Sequence, residues 1–232
     1  MKYQNIVKGI FLSRPNRFIT KVEVNGIEET VHVKNTGRCC ELLKEGVTVY
    51  LEKSSNPNRK TACDLVAVEK LREGKENLLV NMDSQIPNAV AFEWLKGENP
   101  LFSQNAKIRR EVTFGDSRFD LYVEDGERKA FVEVKGVTLE QDGYALFPDA
   151  PTERGVKHIN ELVKAKEAGY EAYILFVIQM KEIHSFSPHK EMHEDFAEAL
   201  LKAHNKGVKV LAYDCKVTPD SMEIDQEVSV IL

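Results

Sequence analysis

Cysteine is scarce in this chain. Cys39, Cys40, Cys63 and Cys215 form no Cys-x-x-Cys, so neither a zinc ribbon nor a thioredoxin-type redox site is expected. No run of about 18 apolar residues occurs, which excludes an ordinary membrane-spanning helix. The stretch Met1 to Phe11 is short and mixed, without the apolar core and small-residue cleavage site of a secretory leader. Free thiols and these absences together predict a cytoplasmic protein with no membrane partner. Missing too are a Gly-x-Gly-x-x-Gly, a Walker loop, a nucleophile elbow and a helix-turn-helix pattern. Their absence disfavours an enzyme that acts directly on sugars through a nucleotide or sugar-phosphate loop. Repeats and low-complexity segments are also missing.

What is present is enough apolar material, 42% of 232 residues, for one large domain or two small ones. The net charge of −5 hides an asymmetry: residues 1–82 carry 14 Lys and Arg against 10 Asp and Glu, residues 83–232 carry 18 against 27. A positive front suits phosphate contact, and an acidic back suits a metal site. The character of the sequence changes at the same place, which predicts domains at 1–82 and 83–232.

In the first segment, Ile6 to Leu12, Phe18 to Val24 and Ile27 to Val33 read as a meander of strands, with Asn25-Gly26 as a tight hairpin turn. A helical turn near Glu41 to Lys44 precedes two more strand candidates, Val47 to Glu52 and Ala62 to Lys70. Five strands with a helical turn between the third and fourth predict an OB-type barrel. Arg14, Arg17, Lys34, Arg38, Arg59 and Lys60 are its candidate nucleic-acid contacts. The loops at Asn35 to Arg38 and Ser54 to Lys60 add the backbone amides and short polar side chains that a phosphate backbone requires.

The second segment predicts the order α-β-β-β-α-β-α-β. A helix enters at Ile86-Pro87-Asn88, and three strands follow: Lys107 to Phe114, Arg118 to Glu124 and Lys129 to Val137. A helix capped by Thr152 runs to about Ala168 with Val156, Ile159, Leu162 and Val163 inward. Tyr173 to Ile178 reads as a central strand covered on both faces, then a helix over Glu194 to Asn205 leads to a strand over Val208 to Tyr213.

Charge interrupts this apolar pattern at Asp120 and at Glu133-Val134-Lys135. Glu-x-Lys triplets also occur at Glu73 and Glu127, but in polar surroundings; only at Glu133 do Phe131, Val132, Val134 and Val137 flank it. Strand alternation puts Glu133 and Lys135 on one face. A hairpin would bring Asp120 opposite, and buried charges persist only when paired or bound to metal. Two carboxylates with water and a phosphate suit Mg²⁺ or Mn²⁺, with Lys135 stabilising developing charge. Glu93 and Glu111 are candidate further acids, Glu111 as a metal ligand. Arg154 and Lys157 could bring cations near the acids from the next helix, whose His158 reads as a surface histidine.

With these residues in hand, the chain resembles the sugar fermentation stimulation protein A (SfsA) family along nearly its whole length. The carriers are Asn35-Thr36-Gly37, Asn56-Pro57-Asn58-Arg59-Lys60, Arg109-Arg110-Glu111-Val112, Ser117-Arg118-Phe119-Asp120, Val132 to Leu139, Phe147-Pro148-Asp149-Ala150, Arg154-Gly155-Val156-Lys157-His158, Leu175 to Gln179 and Val210 to Tyr213. The resemblance implies an N-terminal OB-type barrel followed by an α/β domain similar to the PD-(D/E)xK nucleases. It also implies non-specific DNA binding and a link to regulating sugar use. Carried over, the nuclease pattern maps onto Asp120, Glu133 and Lys135, with Glu93 as the helix acid. The chain departs from it at Phe119, which stands where the motif has proline, and at Arg38-Cys39, where the family commonly has Ser-Met. The expectation is therefore a DNA or RNA binder with a divalent-metal nuclease-like site, or else a non-catalytic DNA-binding regulator of sugar metabolism genes, with room for a homodimer.

Overall fold

Asn25 and Gly26 both hold positive φ, 52° and 79°, which is what a two-residue hairpin turn demands, and they set the first meander. The computed structural model describes residues 1–35 and 37–232; Thr36, in the predicted Asn35-Thr36-Gly37 loop, lies outside the described residues. The chain resolves into two units. The first comprises Met1–Ile86 with Gln179–Lys181 and Cys215–Glu223, and the second holds the rest.

The first unit carries β1 (Ile6–Asn16), β2 (Ile19–Val24), β3 (Ile27–Val33), β4 (Thr48–Lys53), β5 (Cys63–Lys70) and β6 (Leu78–Asn81). The sheet order is β3-β2-β1-β4-β5-β6, and an extra parallel pairing of β3 with β5 closes the first five strands into a barrel. Closure requires one strand to bend. β1 pairs with β4 from Ile6 to Ile10 and with β2 from Ile10 to Asn16, and register shifts after Phe11 and Ser13 bend the second part. Gly9 is needed where they meet, because a Cβ there would lie 2.5 Å from Val22 Cγ1 and 2.9 Å from the Glu23 carbonyl oxygen. Val22, Val31, Val33, Val49, Leu51 and Leu65 fill the interior. The expected helical turn is a pair of hydrogen-bonded turns in which the Leu42 and Leu43 amides both donate to the Cys39 carbonyl, burying Leu42.

The second unit is a mixed α/β layer built from α1 (Ile86–Lys96) from Pro87 on, β7 (Lys107–Phe114), β8 (Ser117–Asp125), β9 (Arg128–Val137), β10 (Leu139–Gln141), β11 (Tyr144–Phe147), α2 (Glu153–Glu167), β12 (Glu171–Ile178), β13 (Ser185–Pro188), α3 (Glu194–Asn205), β14 (Lys209–Thr218) up to Asp214, β15 (Ser221–Glu227) from Ile224 on and β16 (Ser229–Val230). The main sheet runs β15-β14-β12-β9-β8-β7, and a small one runs β10-β11-β13-β16. β12 is parallel to both β9 and β14, and Ala172 to Ile178 are all buried, as a strand covered on both faces requires. The helices and long strands follow the order read from the sequence; β6, β10, β11, β13, β15 and β16 were not expected. The Thr152 Oγ1 accepts from the Gly155 amide at 3.1 Å to cap α2. Among the described residues no helix is long and apolar enough to cross a membrane.

Candidate functional site

The second unit's chemistry begins where two strands part. β8 and β9 are paired from Asp125↔Arg128 to Leu121↔Val132, and there the ladder stops. β8 continues to Ser117 against β7, while β9 continues to Val137 against β12. One residue past the last pair stand Asp120 and Glu133. Tyr122 and Phe131 face each other across the ladder with ring centroids 4.9 Å apart, so alternation puts Asp120 and Glu133, two residues on, on that same side.

Asp120 fills the fork. Its Oδ2 accepts from the Val134 amide at 2.8 Å, replacing the lost strand partner, and its Oδ1 accepts from Asn88 Nδ2 on α1 at 2.6 Å. Burial first, and the Glu133 charge second, push its carboxyl up to about 6. Glu133 is only 2% exposed. Its Oε1 accepts from Lys135 Nζ at 2.6 Å and from His158 Nδ1, whereas its Oε2 is buried with no hydrogen-bond partner. Burial works to raise its pKa, but His158 and Lys135 outweigh it and hold the carboxyl below its ordinary value. Of this pair Glu133 stays charged and Asp120 resists ionising.

His158 is a site residue that the sequence reading placed on the surface. It is buried, one turn before Leu162 and two before Ala165 on the inward stripe of α2. That stripe was the available signal. Asn88 was missed as well, being a neutral residue six positions before Trp94 with nothing local to mark it. Glu93 is exposed and, five residues from Asn88, lies about 140° around the helix from it. Glu111 is exposed, holds a positive φ of 57° opposite Asp120 and pairs with Arg118 at 2.7 Å. The structure thus gathers Asp120, Glu133 and Lys135 with Asn88 and His158, and leaves Glu93 and Glu111 outside. Among the described residues no three His, Cys, Asp or Glu side chains cluster closely enough to ligate one ion.

The predicted nucleic-acid contacts divide in the same manner. Arg14 is spent on the chain itself, donating to the carbonyls of Arg17, Asn35, Gly37 and Arg38 at 2.7 to 2.8 Å. Lys34 pairs with Asp83 at 3.0 Å and Asp64 at 3.6 Å, and Arg59 grips Asp64 with both terminal nitrogens at 2.9 and 2.5 Å. Arg17, Arg38 and Lys60 are exposed, and no acidic side chain among the described residues pairs with them. Arg17 and Arg38, with Arg14, Asn16 and Gly37, line a barrel cavity of about 350 Å³. On α2, Arg154 Nε donates to His158 Nε2 at 3.4 Å and Lys157 Nζ donates to the Asp116 carbonyl at 3.0 Å.

Comparison with known proteins covers the whole chain. Residues 12–80 match the family model described as the SfsA N-terminal OB domain, and residues 85–221 match that of the sugar fermentation stimulation protein RE domain. A sugar fermentation stimulation protein homolog of Desulfitobacterium hafniense is 58% identical over 232 residues, covering 100% of this chain and 99% of its own. One from Ruminiclostridium cellulolyticum is 52% identical with both chains covered in full. Among solved structures, one described as Pyrococcus furiosus SfsA in complex with Ca²⁺ superposes with a TM-score of 0.80 at 28% identity, covering 100% of this chain and 98% of its own.

Proposed function

This chain belongs to the sugar fermentation stimulation protein family, and on that premise we propose that it binds nucleic acid and holds a divalent cation between Asp120 and Glu133 in a nuclease-like site of the PD-(D/E)xK type. The observation that carries the reading is Glu133 Oε2, a buried carboxylate oxygen with no partner. An anionic oxygen in that state costs several kcal/mol unless something binds it. The donor set fits a hard cation, since two carboxylates offer oxygen alone. The Ca²⁺ complex of the archaeal relative names an ion of that class.

Bound there, Mg²⁺ or Mn²⁺ supplies Lewis-acid polarisation of a phosphoryl oxygen. The protein's own groups do the rest. Asn88 and the Val134 amide fix the Asp120 carboxylate. Lys135 keeps its ammonium against Glu133 Oε1, beside the place where a scissile phosphate would gain charge. Arg17, Arg38 and Lys60 on the barrel supply sequence-independent contacts to backbone phosphates.

Incubation of single- and double-stranded DNA and RNA with the protein and Mn²⁺ tests this. Cleavage should vanish with EDTA and fall at least about 100-fold in Lys135→Ala, the order expected for losing a group that stabilises transition-state charge. Failure to cut any of the four substrates overturns the nuclease reading. The exposed barrel cations Arg17, Arg38 and Lys60 support a second reading, a non-catalytic DNA-binding regulator of sugar metabolism genes. That reading requires DNA retention in EDTA that is indifferent to Lys135→Ala and falls steeply with salt.

A further inference from the structure

We propose that His158 is a positioning residue that decides which oxygen of Glu133 meets the cation; the inference rests on the metal-site reading above. Two donors, His158 Nδ1 and Lys135 Nζ, converge on Oε1 and none reaches Oε2. A carboxylate held through one oxygen by donors from two elements cannot spin about its terminal bond, so Oε2 keeps one direction. Lys135 alone would hold it loosely, because its ammonium rides on four methylenes, whereas the imidazole is a rigid ring with two torsions. The ring is itself fixed. It is buried on α2, the Phe119 ring lies 6.5 Å away edge-on, and Arg154 Nε donates to Nε2 from one turn back. With Nε2 accepting, the ring proton sits on Nδ1, where Glu133 needs it. Arg154, His158 and Glu133 therefore form a relay of orientation from the first turn of α2 to the fork between β8 and β9.

Titrating Mn²⁺ into the full chain by calorimetry, without nucleic acid, tests the relay separately from catalysis. His158→Phe keeps a ring but no donor, and should weaken Mn²⁺ binding about 10- to 100-fold, as losing an outer partner of a metal ligand does. His158→Asn places an amide nitrogen where Nδ1 was and should restore affinity to within about threefold of wild type. Arg154→Met, at an exposed position, should cost a smaller factor, about three- to tenfold. Wild-type affinity in a folded His158→Phe overturns the inference. If that variant does not fold, unchanged affinity in Arg154→Met overturns it instead. Should the wild type itself take up no Mn²⁺ at millimolar concentration, both the inference and the metal reading fail; binding by wild type with no loss in the variants removes the inference alone.

Discussion

In the first unit, Asp64 meets three basic side chains and Asp83 pairs with Lys34; in the α/β unit, Lys135 and His158 both bond Glu133, and Asp120 has only neutral donors. Asp64 accepts from His32 at 2.9 Å and from both ends of Arg59, with Lys34 bridging to Asp83. The parallel register of β3 and β5 builds this group, since it sets His32 directly beside Asp64. Burial works to raise the Asp64 pKa, but Arg59, His32 and Lys34 prevail and bring it to about 2. At the fork the balance goes the other way for Asp120, at about 6, and one oxygen of Glu133 has nothing to accept. Asp64, Asp120 and Glu133 are all strand carboxylates, and Asp83 follows shortly after β6. The difference is completion: cations of the fold meet Asp64 and Asp83, whereas at the fork Asp120 is held by neutral donors and Glu133 keeps one buried oxygen without a partner.

The sharpest way to break that contrast is to remove an acid from each group and measure Mn²⁺. Glu133→Gln should lower affinity at least about 100-fold, close to 3 kcal/mol, while Asp64→Asn should leave it unchanged; equal effects would erase the distinction. The same pair should differ in stability. Asp64→Asn leaves the half-buried Arg59 without its acid and Lys34 with Asp83 alone, and should lower the urea-unfolding free energy by about 2 kcal/mol.

That Lys34 and Arg59 belong to this ion group was not legible in the sequence. Both sit in polar loops beside Gly, Asn and Ser, which reads as a phosphate contact, and their acids reach them only through barrel closure. The four carbonyl partners of Arg14 were not legible for a related reason, since they are turned towards it by a loop whose path no local pattern records. The five barrel strands and the triplet of strands at the fork were legible because they are long, alternate cleanly and are separated by turns such as Asn25-Gly26. β10, β11, β13 and β16, at two to four residues, are too short for a period to show. At the candidate site, the proximity of Asp120, Glu133 and Lys135 was legible because charge interrupts an apolar strand. Asn88 and His158 were not, as one carries no charge and the other's role comes from packing across elements.

Acid offers the next test. Asp64 has a folded pKa of about 2, below its ordinary value, so its contribution is present above about pH 4 and is lost as pH falls from there towards 2. Unfolding free energy should drop by about 2 kcal/mol across that window through this residue, and Asp64→Asn should lack that part of the drop. Asp120 has the opposite sign. Its raised pKa means that ionised Asp120 costs stability, a cost that grows from about pH 4 to about 6 and is constant above. In metal-free buffer at pH 7, Asp120→Asn should therefore stabilise the chain by about 1 kcal/mol, a value discounted for the partial exposure of the group. A loss of stability would show that Asp120 is a structural acid like Asp64. The smallest effect concerns the barrel's exposed cations: Arg17→Ala and Arg38→Ala should each reduce the salt dependence of DNA binding by about one unit of logarithmic slope.

The most direct measurement is the anomalous density of a crystal soaked in Mn²⁺. The account predicts one peak in the fork between β8 and β9, about 2.1 Å from Glu133 Oε2 and not from Oε1, with none beside Asp64 or Asp83. A peak in the barrel's ion group, or an empty fork at saturating Mn²⁺, would contradict it.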